Sequence, residues 1–176
     1  MSQTAAAQTE QNPTTIHQGD LGGKYVVFFL GDEEFGVPIL SVREIIAMAP
    51  ITHLPQAPAY VRGVINLRGT VVPVLDLRLK FGMSLAEDSR ESCILVVRTD
   101  GKEMGVAVDR MSEVTNVSRD EIQPPPSIGH GVDTSHILGI DKSAGKVRLL
   151  LDIDRIVLSG ELMDLQGIIP EDAPAH

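Results

Sequence analysis

Apolar residues come in short blocks along this chain, and most blocks end at a turn signal. Residues 25–30 form a run of strand length that stops at Gly31-Asp32, and residues 34–39 read as a second strand. Residues 61–67 and 71–77 flank Arg68-Gly69-Thr70 and predict a hairpin. Residues 93–98 and 103–108 flank Asp100-Gly101, a dipeptide suited to a tight hairpin loop. Residues 113–118 predict a further strand, and residues 137–140 and 147–153 a last hairpin around Ser143-Ala144-Gly145. Pro73 lies inside its run, which predicts an edge strand or a bulge because proline cannot donate to a ladder. Residues 40–48 fit a helical turn or a bent strand equally well. Residues 78–82 predict one helical turn, and residues 154–165 a terminal helix with Ile156, Val157, Leu162 and Leu165 apolar. The prolines at 50, 55 and 58, the charged residues 86–92 and the stretch 124–135 read as connections.

The blocks repeat. Gly36-Val37 is followed by Glu44-Ile45 at the interval that separates Gly105-Val106 from Glu113-Val114. Gly63, Gly69 and Asp76 have the spacing of Gly139, Gly145 and Asp152, and each aspartate precedes a short helical pattern. The pattern predicts two copies of a hairpin-plus-hairpin unit. Each copy is expected to be a twisted sheet that closes into a small barrel, because its apolar face needs cover. Two barrels side by side leave a groove between them.

Composition narrows the function. Hydrophobic residues make up 43 % and aromatics 3 %, so the core is aliphatic. Asp plus Glu number 24 against 15 Lys plus Arg, a net charge of -9. A nucleic-acid binder needs a basic footprint and an anionic membrane a polybasic patch; neither is visible. Residues 1–23 lack the apolar core of a secretory signal and predict a disordered tail, and no run is long enough to span a bilayer. The lone Cys93 sits in an apolar run and reads as a buried structural thiol, in keeping with a reducing compartment. A cytoplasmic protein is expected.

Candidate chemistry is sparse. His17, His53, His130, His136 and His176 are scattered. His130, Asp133 and His136 lie in a segment without the periodicity that would converge metal ligands, so no metal site is expected. Asp152 and Asp154 could do acid–base work, but Asp154 fits better as the N-cap of the terminal helix. Gly139 to Lys146 has the wrong glycine spacing for a phosphate loop and no Ser or Thr after the lysine. No nucleophile–base motif occurs, so no catalytic residue is assigned and binding is the expected activity. In the stretch 61–69, Arg62 and Arg68 stand beside glycines within an apolar hairpin. Solvated surface charge would explain both. The functional reading is that Arg68 grips a carboxylate with its planar fork, on a partner or on its own surface, with Glu44 one candidate.

Residues 31–37 (Gly-Asp-Glu-Glu-Phe-Gly-Val), 63–78 (Gly-Val-Ile-Asn-Leu-Arg-Gly through Pro-Val-Leu-Asp-Leu-Arg) and 105–109 (Gly-Val-Ala-Val-Asp) together resemble the CheW family of chemotaxis adaptors. The resemblance covers residues 24–165, expected to be one domain of two interleaved β-barrel subdomains, leaving 166–176 as a tail too short for a receiver domain. It implies a mainly β fold of two five-stranded SH3-like barrels with short helical segments and a C-terminal helix. It implies a scaffold with no enzymatic activity and no cofactor. The partners it implies are the cytoplasmic tips of methyl-accepting chemotaxis receptors and the regulatory domain of the histidine kinase CheA, in arrays beside the membrane. Carried over by position, Val42, Glu44 and Ile45 would lie beside the receptor-binding groove, Arg68 would serve the same surface, and Cys93 and Val114 would line the other wall. Cys93 departs from the aliphatic residue the family pattern leads one to expect. Two alternatives stand beside this: an adaptor of another chemosensory system, such as one controlling pilus motility, and a small β-barrel hydrolase using Asp152 and His136.

Overall fold

The apolar runs become strands, and where the chain turns between them decides the architecture. The computed structural model describes residues 21–125 and 134–157. Its strands are β1 (Gly23–Leu30), β2 (Glu33–Pro38), β3 (Val42–Ala47), β4 (Val61–Leu67), β5 (Thr70–Asp76), β6 (Cys93–Thr99), β7 (Lys102–Val108), β8 (Arg110–Val117), β9 (Ile122–Gln123), β10 (Ile137–Asp141) and β11 (Arg148–Leu151). Two short helices, α1 (Leu77–Lys80) and α2 (Ile153–Val157), follow β5 and β11. The expected terminal helix is described only as α2; its residues 158–165 and the tail beyond fall outside the described residues, as do residues 1–20. The ambiguous segment 40–48 is both things in turn: a 3-10 turn over Ile39–Ser41, then β3.

The strands form two sheets, ordered β8-β1-β2-β11-β10-β9 and β3-β6-β7-β5-β4. Each closes through the chain that continues its first strand. Beyond β3, Thr52 exchanges both backbone hydrogen bonds with Val64 of β4, each 2.8 Å. Beyond β8, a 3-10 turn leads to β9, which pairs with β10.

The internal repeat is real, but its copies do not close on themselves. The first copy is β1 to β5 with α1, the second β6 to β11 with α2. The six-stranded sheet takes hairpin β1–β2 from the first copy and the rest from the second; the other sheet does the reverse. The expectation of one barrel per copy is therefore corrected: the copies exchange hairpins. The 3-10 turn after Pro38 redirects the chain, so β3 pairs with β6 instead of continuing the β1–β2 meander. Exchange creates the two parallel pairs, β2 with β11 and β5 with β7.

Pro73 departs from expectation too. It lies in β5, which has neighbours on both sides. It is opposite Val64, whose N–H and C=O point away to Thr52, so this pair exchanges no ladder bonds; the donor that proline lacks would face β7, whose parallel ladder with β5 begins only at Val74 opposite Gly105. The bulge lies in β4 instead, between Val61 and Gly63. Gly63 has φ of 143°, and a Cβ there would stand 2.0 Å from the Thr52 carbonyl oxygen.

The largest apolar cluster lies between the sheets. It joins Val26, Phe28, Leu30, Phe35 and Val37 to Leu75, Cys93, Leu95, Val97, Met104, Val106 and Val108, with Ile153, Ile156 and Val157 of α2. Phe28, Phe35 and Phe81 stack in series with centroids 6.1 and 5.8 Å apart. The barrel interiors are smaller: Ile65, Leu67, Val72, Val74, Ile94, Val96 and Ala107 in one, Tyr25, Val117 and Leu150 in the other. Burial of this aliphatic surface, about 25 cal/mol per Å2, fixes the two barrels as one body.

Candidate functional site

The β4–β5 hairpin turns on two residues, Arg68 (φ 50°) and Gly69 (φ 86°). Two positive φ values define the tight turn whose twist matches antiparallel strands. Asn66 Oδ1 accepts the Gly69 N–H at 2.8 Å and holds it. The β6–β7 hairpin of the same sheet turns in the same way on Asp100 (φ 51°) and Gly101 (φ 76°). Aspartate tolerates the left-handed region; arginine there is unusual. A strained position holding a long cation points to a use for its side chain.

That use is visible. The Arg68 guanidinium meets the Glu44 carboxylate with both forks, Nη1 to Oε2 at 3.1 Å and Nη2 to Oε1. Glu44 is on β3 and Arg68 on the β4–β5 turn, at opposite ends of the sheet order, so the pair spans the barrel's closure. The Arg68 hydrogen bond holds the Glu44 carboxyl below its usual range and raises the guanidinium in turn. Both groups are open to water, so the pair adds little stability and mainly fixes shape.

Beside it, β3 alternates. Val42 packs against the core between the barrels, and Ile45 is 43 % exposed. Ile45 follows Glu44 in the strand and so projects from the face of β3 opposite to the ion pair. Val42, Glu44, Ile45 and Arg68 are thus gathered in one barrel. The expectation that Cys93 and Val114 share the other wall is corrected for Cys93, which lies on β6 of this same sheet, whereas Val114 lies in the other one. Cys93 pairs with Ala47, and its side chain is buried in the core between the sheets. Desolvation there raises the thiol pKa. Val114 stands on β8 of the other sheet, 53 % exposed. It occupies in the second copy the station of Ile45 in the first.

Sequence reasoning separated the two arginines poorly. Arg62 is committed internally: both its terminal nitrogens bond Asp88, at 3.0 and 2.8 Å, which ties down the loop after α1. It also missed three groups. Met111 is the repeat counterpart of Val42 and packs on the same core. Arg78 bonds Asp109 through Nε (2.9 Å) and Nη2 (2.8 Å), and Asp109 accepts the Gly31 N–H at 2.6 Å, so α1 is tied to β1 across the barrels. Arg148 bonds Glu34 and Glu113 inside the second barrel. The Glu113-Val114 repeat was a signal for part of this. Nothing in the pattern pointed to Arg148, whose counterpart in the first copy is Val72.

Asp76, Asp152 and Asp154 hold the structure together. Asp76 accepts the Leu79 N–H and caps α1; its counterpart Asp152 accepts the Arg155 N–H and caps α2. The expectation of a cap at Asp154 is corrected, since Asp154 accepts from the Thr99 hydroxyl at 2.9 Å. Asp152 meets His136 through a backbone bond, N–H to carbonyl, at 2.8 Å, while its carboxylate serves the helix end and Arg155. Among the described residues, no group of three His, Cys, Asp or Glu could hold a metal, and no helix is long and apolar enough to cross a membrane. His130 and Asp133 lie outside the described residues.

Comparison with known proteins agrees with this geometry. The family model for the CheW-like domain matches residues 24–161. The chain is 38 % identical over 145 residues to the chemotaxis protein CheW of Rhizobium meliloti, covering 82 % of this chain and 94 % of that one. It is 30 % identical to the CheW of Klebsiella aerogenes, over 81 % of this chain and 86 % of the other. The crystal structure of the scaffolding protein TtCheW from Thermoanaerobacter tengcongensis superposes with a TM-score of 0.73 at 33 % identity, covering 80 % of this chain and 96 % of that one.

Proposed function

This chain belongs to the CheW family, and on that premise we propose that it joins the cytoplasmic tips of methyl-accepting chemotaxis receptors to the regulatory domain of the histidine kinase CheA. It is a chemotaxis scaffold, mainly β, and makes or breaks no bond itself. Its place is the cytoplasm, beside membrane-bound receptor arrays.

The observation that carries the reading is Arg68, held in a strained turn and pinned to Glu44 on the strand that also exposes Ile45. A receptor tip is a helical hairpin. A shallow surface with an aliphatic centre and a fixed charge at its rim suits one face of such a rod. The scaffold then holds receptor and kinase at a set geometry, and coupling follows from different affinities for the two receptor states.

The test is reconstitution of purified CheA, receptor-containing vesicles and this protein. Wild type should confer receptor-dependent activation and attractant inhibition of the kinase. Arg68→Ala and Glu44→Ala should retain the thermal transition and lose that control. Unimpaired kinase control in both variants would reject the reading of the surface.

A further inference from the structure

The chain passes from one barrel to the other at two places. The first crossover leaves β2, runs through the 3-10 turn Ile39–Ser41 and enters β3. The second leaves β7, runs through Asp109 and enters β8. Each leads straight into a strand with an exposed aliphatic residue, Ile45 on β3 and Val114 on β8. The repeat relates the two, since the interval from Gly36 to Gly105 also takes Leu40 to Asp109 and Gly31 to Asp100.

They are fastened differently. Asp109 is held from both barrels. Arg78, in α1 behind β5, donates from Nε to both carboxylate oxygens at 2.9 Å and brings Nη2 to 2.8 Å from Oδ2. Gly31, in the β1–β2 turn, donates its N–H to Oδ2 at 2.6 Å, and the Asp109 N–H donates to the Phe29 carbonyl at 3.1 Å. Arg78 is itself steadied by Nη1 on the Ser84 carbonyl at 2.9 Å. At the first crossover the corresponding side chain is Leu40, which has no polar atom and is 94 % exposed. The counterpart of Arg78, at the interval from Asp76 to Asp152, is Asp154. Its partner at 2.9 Å is the Thr99 hydroxyl, a neutral donor at the end of β6 and away from the crossover.

Apolar packing holds the barrels together without choosing an angle between them, because burial is non-directional. Charge-assisted hydrogen bonds are directional and do choose one. With one crossover bolted and the other not, the barrels can turn about Asp109, and the exposed turn through Leu40 absorbs the change in backbone angles as hinge loops do.

We propose that Asp109 is the positioning residue of the groove: with Arg78 and Gly31 it sets the angle between the barrels, and so the separation of β3 and β8, while the turn through Leu40 is the hinge. β8, which starts at the residue after Asp109, is the fixed wall, and β3 is the wall that moves. The use of that setting rests on the receptor reading above.

The test is a distance across the groove in the free, full-length protein. It is read by pulsed electron spin resonance between nitroxides on Ala47→Cys of β3 and Asn116→Cys of β8, both exposed positions. Cys93 is buried, so brief labelling of the folded protein spares it. Wild type should give one narrow distance. Asp109→Asn keeps the shape and loses the charge. It should broaden the distance well below the melting temperature, where a role in stability alone would leave it narrow. Arg78→Lys keeps the charge, loses the fork, and should fall between the two; it carries the test if Asp109→Asn does not fold. A soluble receptor cytoplasmic fragment, titrated into unlabelled protein by calorimetry, should bind Asp109→Asn about fivefold more weakly, as expected of a groove correctly set in about a fifth of the molecules. Distances as narrow in both variants as in wild type overturn the proposal. Broadened distances with wild-type affinity keep the bolt and sink the receptor reading of the groove.

Discussion

Gly36 and Gly105 occupy the same station in two different barrels. Each faces a parallel neighbour strand from the other half of the repeat, Gly36 opposite Leu150 and Gly105 opposite Val74. A Cβ on Gly105 would lie 2.8 Å from Ile94 Cγ2 and 3.3 Å from Val74 Cγ2, both on stiff β-branched side chains. A Cβ on Gly36 would lie 3.0 Å from Leu150 Cδ2, the end of a more adaptable chain. Gly105→Ala should therefore destabilise by about 1–3 kcal/mol and Gly36→Ala by less, read from urea midpoints. Equal losses at both sites would show that the local neighbours do not set the cost.

Arg68 separates stability from function. Its backbone is left-handed, where asparagine is at ease. Arg68→Asn should hold or raise the melting temperature while abolishing receptor-dependent kinase control. A variant that melts early would mean that the arginine is retained for the fold.

Acid should loosen the joint between the barrels. Burial would raise the Asp109 carboxyl, but the Arg78 hydrogen bond, the Gly31 N–H and the Arg78 charge hold it below its usual value. Glu34 behaves alike: burial opposes, and the Arg148 hydrogen bond and charge prevail. Groups lowered in the folded state contribute fully above the unfolded carboxylate pKa values, and the contribution is lost as pH falls through the lowered ones. Stability should hold from neutrality to roughly pH 5 and then decline. Asp109→Asn should cost about 1–2 kcal/mol at neutral pH, after allowance for partial exposure, and make the acid decline shallower. An unchanged decline in that variant would remove Asp109 from the account.

The Cys93 thiol should be inert. It is buried, and desolvation raises its pKa, so thiolate is scarce. A disulfide reagent should label the native protein far more slowly than the urea-unfolded chain. Fast native labelling would place the sulfur at the surface, on the wall of the groove where the family pattern puts position 93.

Much of this protein can be read from one dimension. The alternation and turn dipeptides place the hairpins, because a two-residue turn such as Asp100-Gly101 specifies its own geometry. The repeated Gly–Gly–Asp spacing puts Asp76 and Asp152 just before helical patterns, but the second cap was expected at Asp154, and only the structure gives it to Asp152. Glu44 with Arg68 could be named as a candidate because the fork of arginine and a carboxylate fit each other wherever they meet.

What the chain alone could not settle is which elements from distant parts of it would lie together. Pairing of β3 with β6, burial of Cys93 and the interior position of Pro73 all follow from the exchange of hairpins, a choice made by the shared core once both copies are present. Arg148 is the sharpest case. In sequence it is one basic residue before three leucines; only folding sets Glu34, Glu113 and Asp141 around it, from strands up to 114 residues away. Local rules act over a few residues, and a sequence prints those plainly. Contacts across the barrels depend on loop closure and the packing of the whole, which exist only in three dimensions.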